Sequence, residues 1–271
     1  MKTVGILYHP KIDAAQILAQ ELAAFLPSRQ ASTWLCSAWE EQEAKNRIEG
    51  TDLLLSIGGD GTILRAARAA IPWCVPIVGV NLGRLGFLTE LRSDDARDKL
   101  PLYLDGEGWI DERAMLEVEL AGHEPFHALN DLFVGRGGLP RVVNIETIID
   151  GVVLTTYRAD GVVLSTATGS TGYSLAAGGP ILCPQAREII LNAISPHPTF
   201  ANALVLPPEV EVELRVGTTH QAMVSIDGQV NVDVGDGDYV RARLSRHVAR
   251  FLRAEPRNSF YATLMKRLVY K

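Results

Sequence analysis

The sequence predicts an α/β domain with a parallel, Rossmann-like sheet, followed by a β-rich domain built as a β-sandwich. Three observations carry this prediction. Residues 1–112 alternate short apolar runs with helical periodicity, the order that lays helices on a parallel sheet. From residue 113 to 245 the spacing turns to strands separated by turn signals such as Asp150-Gly151. A glycine-rich corner, Gly58-Gly59-Asp60-Gly61-Thr62, follows an apolar strand, where an open α/β sheet binds its ligands.

The elements follow in order. "TVGILY" is a short buried strand. "DAAQILAQELAAFL" carries Ile17, Leu18, Leu22, Phe25 and Leu26 at helical spacing, with Asp13 as its expected N-cap. "STWLC" is a weak strand and "AWEEQEAKNRI" a polar helix. "DLLLSI" is nearly continuous in apolar residues, as a central parallel strand requires. "TILRAARAA" is the next helix and "VPIVGVN" the next strand. In the second region "AMLEVELAG", "FHALNDLFVG", "VNIETIIDGVVLTTY", "GVVLST", "EVEVELRVG" and "QAMVSIDGQVNVDVGDGDYVRARL" read as strands. One helical passage is expected at about 185–194. Residues 246–271 end in "SFYATLMKRLVYK", a basic helix expected to pack back on the first domain.

Composition narrows the function. The chain has 271 residues, 47% hydrophobic and 21% charged, with a net charge of −6, and no basic run of the kind that grips nucleic acid. Its three cysteines, Cys36, Cys74 and Cys183, are scattered and suggest neither a disulfide framework nor a zinc site. His123 and His127 have i,i+4 spacing, but Pro125 between them breaks the helix that a ligand pair would use. "MKTVGILYHP" is too short in apolar residues for a signal peptide, and no run approaches the ~20 residues of a membrane span. The expectation is a soluble, cytoplasmic protein without nucleic-acid or membrane partners.

The motifs point to phosphates. Glycines let backbone approach a ligand, and helix N-terminal amides favour anions. Asp60 would repel a phosphate, so a carboxylate there takes a proton or helps to hold magnesium. A capped Asx turn is the plain alternative. Gly83 and Gly86 in "NLGRLGF" line the same sheet edge. "DGVVLSTATGSTGYSLAAGGP" packs Thr166, Thr168, Gly169, Ser170, Thr171, Gly172, Tyr173 and Ser174 together. These supply amides and hydroxyls for phosphate or ribose and one aromatic ring for a base. Asn130 and Asp131 interrupt an apolar strand, which costs stability unless they are paired. Arg65, Arg84, Arg141 and Arg158 lie in or beside these motifs. The sequence has no GxGxxG after the first strand, no GxxxxGK[ST], no GxSxG and no protein-kinase set.

With these pieces in order, "GGDGTILRAAR", "GVNLGRLGFLTE", "LND", "YRADGVVLSTATGSTGYSLAAGGP" and "SIDGQ", the sequence resembles the NAD kinases over roughly residues 53 to 229. GGDGT alone is shared with diacylglycerol- and sphingosine-type lipid kinases and with 6-phosphofructokinases; the 157–180 block is the more specific. The resemblance implies ATP-dependent phosphorylation of the adenosine ribose 2′-hydroxyl of NAD to give NADP. It also implies a divalent metal cation, expected to be magnesium, and a homodimer or homotetramer.

Carried over position by position, the resemblance makes Asp60 the proton acceptor. Gly59, Gly61, Arg65, Asn130, Asp131, Arg141, Arg158, Asp160, Thr171, Gly172, Tyr173, Ser174, Leu175, Ala176 and Gln229 match nucleotide-contacting positions. Two departures stand out. Asp131 replaces the family's common Glu, and Ala167 and Gly172 stand where TPTGSTAY is frequent. Phosphoryl transfer has a loose transition state, so the protein chiefly positions groups and neutralises charge. A free aspartate, with a pKa near ~3.9, is a weak base, and aligning the 2′-oxygen is its main expected contribution. The rival readings are a lipid or sugar kinase of the GGDGT superfamily and a non-catalytic nucleotide sensor.

Overall fold

The computed structural model describes residues 1–83, 86–138, 141–197 and 201–268. Arg84 and the last residues of the expected C-terminal helix, 269–271, lie outside the described residues. The chain divides into two compact units: Met1–Glu112 with the chain from Ala249 onward, and Arg113–Val248.

The first unit runs β1 (Lys2–Tyr8), α1 (Asp13–Phe25), β2 (Ala31–Ser37), α2 (Glu41–Arg47), β3 (Leu53–Ile57), α3 (Asp60–Ala70), β4 (Ile77–Asn81), β5 (Leu91–Arg92) and α4 (Ala96–Leu104). The strands lie in the order β2-β1-β3-β4-β5, all parallel. Every residue of β3 and β4 is buried, which is why their sequences are apolar without alternation. Leu18 and Leu22 of α1 and Leu100 and Tyr103 of α4 pack with Val4, Leu55 and Val78. On the other side α3 comes close to the sheet at Gly79, where a Cβ would fall 2.5 Å from Ile63 Cδ1. The helix α1 departs from expectation in one detail: Ile12 is the N-cap, without a side-chain cap, and Asp13 is the first helical residue. There its charge faces the positive end of the helix dipole.

The second unit is two antiparallel layers. It contains β6 (Trp109–Leu120) from Arg113 onward, β7 (Phe126–Ala128), β8 (Asp131–Arg136), β9 (Val143–Ile149), β10 (Val152–Ala159), β11 (Gly161–Ser165), the single-turn α5 (Tyr173–Ala176), β12 (Ile189–Ile194), β13 (Leu204–Leu206), β14 (Val212–Gly217), β15 (Ala222–Ile226), β16 (Val230–Val234) and β17 (Tyr239–Arg253) as far as Val248. One layer has the order β13-β12-β11-β8-β15-β16; in the other, β10-β9-β14-β17 are neighbours and β6 pairs with β17 and β7. Leu132, Val134, Val162, Leu164 and Val224 from the first layer meet Val143, Ile145, Val212, Leu214 and Val240 from the second in one core. Asp150 (φ 48°) and Gly151 (φ 80°) close the β9–β10 hairpin with two left-handed residues, as the sequence signal requires. The last helix, α6 (Ser259–Leu268), belongs to the first unit.

The helical passage expected at 185–194 is instead strand β12. Ile189, Ile190 and Leu191 are fully buried and pair with β11 on one side and β13 on the other. A short apolar run cannot be told from a buried helix by periodicity alone, and here sheet pairing decided the outcome.

Candidate active site

In the first unit, β3 delivers the chain into Gly58, whose amide donates to Val80 O at 2.9 Å. A Cβ on Gly58 would lie 2.3 Å from Thr62 Oγ1, so the turn into α3 leaves no room for a side chain. Gly59 is the helix N-cap and meets nothing within 4 Å of a Cβ, as does Gly83; both leave open space. Asp60 is the first residue of α3, one-third exposed. Its Oδ2 accepts the Phe87 amide at 3.2 Å and its Oδ1 the Leu88 amide at 3.3 Å. A Cβ on Gly86 would lie 1.9 Å from Asp60 Oδ1, so this glycine is what lets the 86–88 segment wrap the carboxylate.

Arg65, one helical turn further, stacks over the Trp39 ring at 4.3 Å. Burial, and then the Arg68 guanidinium beside it, lower its pKa. Arg68 itself is buried, 3.7 Å from Glu41. Two cations crowded together favour an incoming anion.

In the second unit, three strand ends meet. Asp131 starts β8, Ser165 ends β11 in register with it, and Asp227 follows β15, the other neighbour of β8. Asn130 lies just before β8 rather than inside a strand. Asp227 accepts three backbone amides: Leu129 at 3.0 Å, Asn130 at 2.7 Å and Asp131 at 3.2 Å. It takes this place through a left-handed turn, with φ 53° at Asp227 and 63° at Gly228. The 166–172 loop closes on the same point. Thr166 N donates to Asn130 O at 2.9 Å, and a Cβ on Gly169 would fall 2.1 Å from that oxygen. Gly172 is adjacent to Asp131 Oδ2, at 3.9 Å from a Cβ position. Asp131 is buried, and burial together with the Asp227 charge pushes its pKa up to about 7.

The Tyr173 ring, 43% exposed, lies 5.6 Å from Phe133. Burial, then the Asp160 charge, raises its pKa. Phe133 lies across Gly135 and Gly161, where a Cβ would come within 2.3 and 2.2 Å of its ring. At the other end of these strands Asp160 pairs with Arg136 at 2.9 Å. The face thus runs from two buried acids, past two aromatic rings, to an ion pair.

Other expected residues have different surroundings. Thr171 bonds back to Thr168 O, and Ala176 N to Gly172 O, so this run makes its own turn. Leu175 is half-buried and Ala176 exposed. The Ser174 hydroxyl is buried against Gly179 without a partner among the described residues. Gln229 sits in the β15–β16 turn, its amide on Ile226 O. Arg141 bonds to His220 on the surface. Arg158, on β10 of the other layer, lines a cavity of about 440 Å³ with Asn144, Thr218 and Asp236.

Comparison with known proteins decides the family. Residues 16–108 match the ATP-NAD kinase N-terminal domain and residues 129–254 the ATP-NAD kinase C-terminal domain. The chain belongs to the NAD kinase family. The NAD kinase of Dehalococcoides mccartyi is 46% identical over 98% of this chain and 96% of its own length. That of Chloroflexus aurantiacus is 38% identical over 99% of both. Among solved structures, yeast NADH kinase complexed with NADH superposes with a TM-score of 0.83 at 26% identity, covering 100% of this chain and 88% of that one. An NAD kinase from Archaeoglobus fulgidus in complex with ATP gives 0.79 at 25%, covering 97% and 98%. The chain is thus a phosphotransferase of NAD kinase type, and the lipid or sugar kinase and sensor readings fall away.

Sequence reasoning named Asp60, Asn130, Asp131 and Tyr173, but missed Asp227, Phe133 and Arg136. "SIDGQ" held a signal for the first, since an Asp-Gly turn beside a motif strand calls for a partner. The signal for Phe133 was the glycine pair, Gly135 and Gly161, in strands that otherwise favour branched residues.

Among the described residues no three His, Cys, Asp or Glu side chains gather as a ligand set for a metal.

Proposed function

We infer that this chain transfers the γ-phosphoryl group of ATP to the adenosine ribose 2′-hydroxyl of NAD, giving NADP, and that Asp60 accepts the hydroxyl proton. The observation that carries this is the Asp60 carboxylate at the start of α3, held by the Phe87 and Leu88 amides and still open to solvent. Two amide donors fix its direction, so a hydroxyl meets a pre-aligned acceptor. The open space at Gly59 and Gly83 suits phosphates, with Arg65 and Arg68 as nearby charge. Asn130 and Asp131 are assigned to ribose hydroxyls, and the Phe133–Tyr173 pair to a base. Gly61, Arg141, Arg158, Asp160, the run 171–176 and Gln229 are assigned to the remaining nucleotide contacts.

The donor is taken as the magnesium complex of ATP, with the cation arriving on phosphate oxygens as part of that substrate. Val152, Val153 and Leu154 on β10 are exposed at 70%, 55% and 39%, which supports a homo-oligomer formed through the β-rich unit. Cys36, Cys74 and Cys183 form no disulfide among the described residues, which fits a reducing cytoplasm.

The test is direct. Purified protein with magnesium, ATP and NAD is assayed for NADP, beside Asp60→Asn. The substitution keeps the shape and removes the acceptor, so turnover falls ~10²-fold or more while NAD still binds. Near-normal turnover in that variant would overturn the assignment of Asp60.

A further inference from the structure

The C-terminal helix brings a guanidinium to Asp60. Arg267 Nη1 lies 3.7 Å from Asp60 Oδ2, each side chain about one-third exposed. The same guanidinium stands over the Phe87 ring at 4.5 Å, and Phe87 donates its amide to the same carboxylate oxygen. Phe260, seven residues earlier and so on the same face of α6, sets its ring 6.4 Å from that of Phe87. Phe87 is therefore a shared platform: its backbone orients Asp60 and its ring orients Arg267.

An exposed ion pair of this kind contributes only about 0–1 kcal/mol to stability, so it is a poor explanation for so deliberate a placement. Charge gives a better one. The proposed reaction brings an anionic triphosphate toward an anionic side chain, and that approach needs a cation at the point of contact. A guanidinium presents N–H donors in a fixed planar fork that matches phosphate oxygens as well as a carboxylate. We propose that Arg267 is a further catalytic residue: it lies against Asp60 and meets the transferred phosphoryl of the bound donor, neutralising the charge that builds there. This rests on the role assigned to Asp60, and it adds a cation at that carboxylate to the arginines within the sequence motifs.

Four proteins are compared by initial-rate kinetics: the parent, Asp60→Asn, Arg267→Ala and Phe260→Ala. Arg267→Ala is expected to lower kcat by ~10²-fold, raise KM for ATP, leave KM for NAD within about twofold, and recover at least about tenfold of the loss on adding millimolar guanidinium. Phe260→Ala loosens the helix but keeps the charge, and it is expected to retain most of the turnover. The proposal is overturned if Arg267→Ala turns over within about threefold of the parent while Asp60→Asn is strongly impaired. It is equally overturned if guanidinium restores nothing and Phe260→Ala matches the loss, since the helix and not its charge would then matter. Normal turnover in Asp60→Asn would instead remove the reading on which the proposal rests.

Discussion

The carboxylate of Asp227 accepts the backbone N–H of Asn130 at 2.7 Å, although 97 residues separate the two in the chain. With the Leu129 and Asp131 amides on the same group, one side chain fixes the direction in which Asn130 and Asp131 point. Asp227→Asn keeps the volume but turns an all-acceptor group into one that also donates. Hydrogen bonds to charged groups contribute about 1.5–3 kcal/mol, so KM for NAD should rise by ~10-fold or more while KM for ATP changes little. Kinetics with each substrate varied in turn check this. An unchanged KM for NAD would mean that the loop holds its shape without the carboxylate.

Asp131 gives stability a pH dependence opposite in sign to that of a salt-bridged acid. Its folded pKa is raised to about 7, whereas an unfolded aspartate titrates near ~3.9. Between these values the folded chain holds a proton that the unfolded chain has released. The stabilisation is complete below the unfolded value and is lost as pH rises through about 7, at most about 4 kcal/mol in all. Asp131→Asn removes the dependence, so its Tm should gain on the parent between about pH 5 and pH 8. A constant Tm difference across that range would contradict the expectation.

Gly86→Ala places a methyl group where a Cβ would sit 1.9 Å from Asp60 Oδ1. Asp60 must then swing away from the Phe87 and Leu88 amides. A misplacement of ~1 Å costs up to ~10²-fold in rate, so kcat should fall at least ~10-fold. NAD affinity, measured by titration, should stay close to that of the parent. Unchanged turnover would show that the carboxylate tolerates another rotamer.

Val153→Asp tests assembly. The residue is 55% exposed on β10, beside Val152 and Leu154. A charge in an apolar contact between copies should shift the mass seen by light scattering toward the monomer without lowering the Tm of the monomer itself. A parent protein that is monomeric at micromolar concentration would refute the association outright.

Much of the fold could be read from the chain because its signals were local. The buried strand β3 announced itself by unbroken apolarity, α1 by its 3.6-residue spacing, and the β9–β10 hairpin by Asp150-Gly151. β12 could not be read, because "IILNAI" becomes a strand only through partners on both sides, β11 and β13. The candidate site divides the same way. Asp60 stood out as a lone carboxylate in a glycine corner, and Asn130-Asp131 as polar groups in an apolar run. Asp227, Phe133 and Arg267 did not, since each matters through a contact at long range: to residue 130, to Gly161 and to residue 60.

Arg253 bears on the order in which the protein can be made. Its guanidinium is buried and bonds to Asp111 at 3.4 Å, to Glu90 at 3.2 Å and to Leu88 O at 2.9 Å; Glu90 also accepts the amides of Ala254 and Glu255. Glu90 and Asp111 leave the ribosome early, but their cation follows only after the whole of Arg113–Val248 has been synthesised. Until then Glu90 and Asp111, 5% and 2% exposed when folded, lack this guanidinium. Domains usually fold in the order in which they emerge. Here the unit that begins the chain is completed by its last residues, so a nascent chain stalled before residue 249 carries an unfinished first unit behind a second that has all its strands up to Val248.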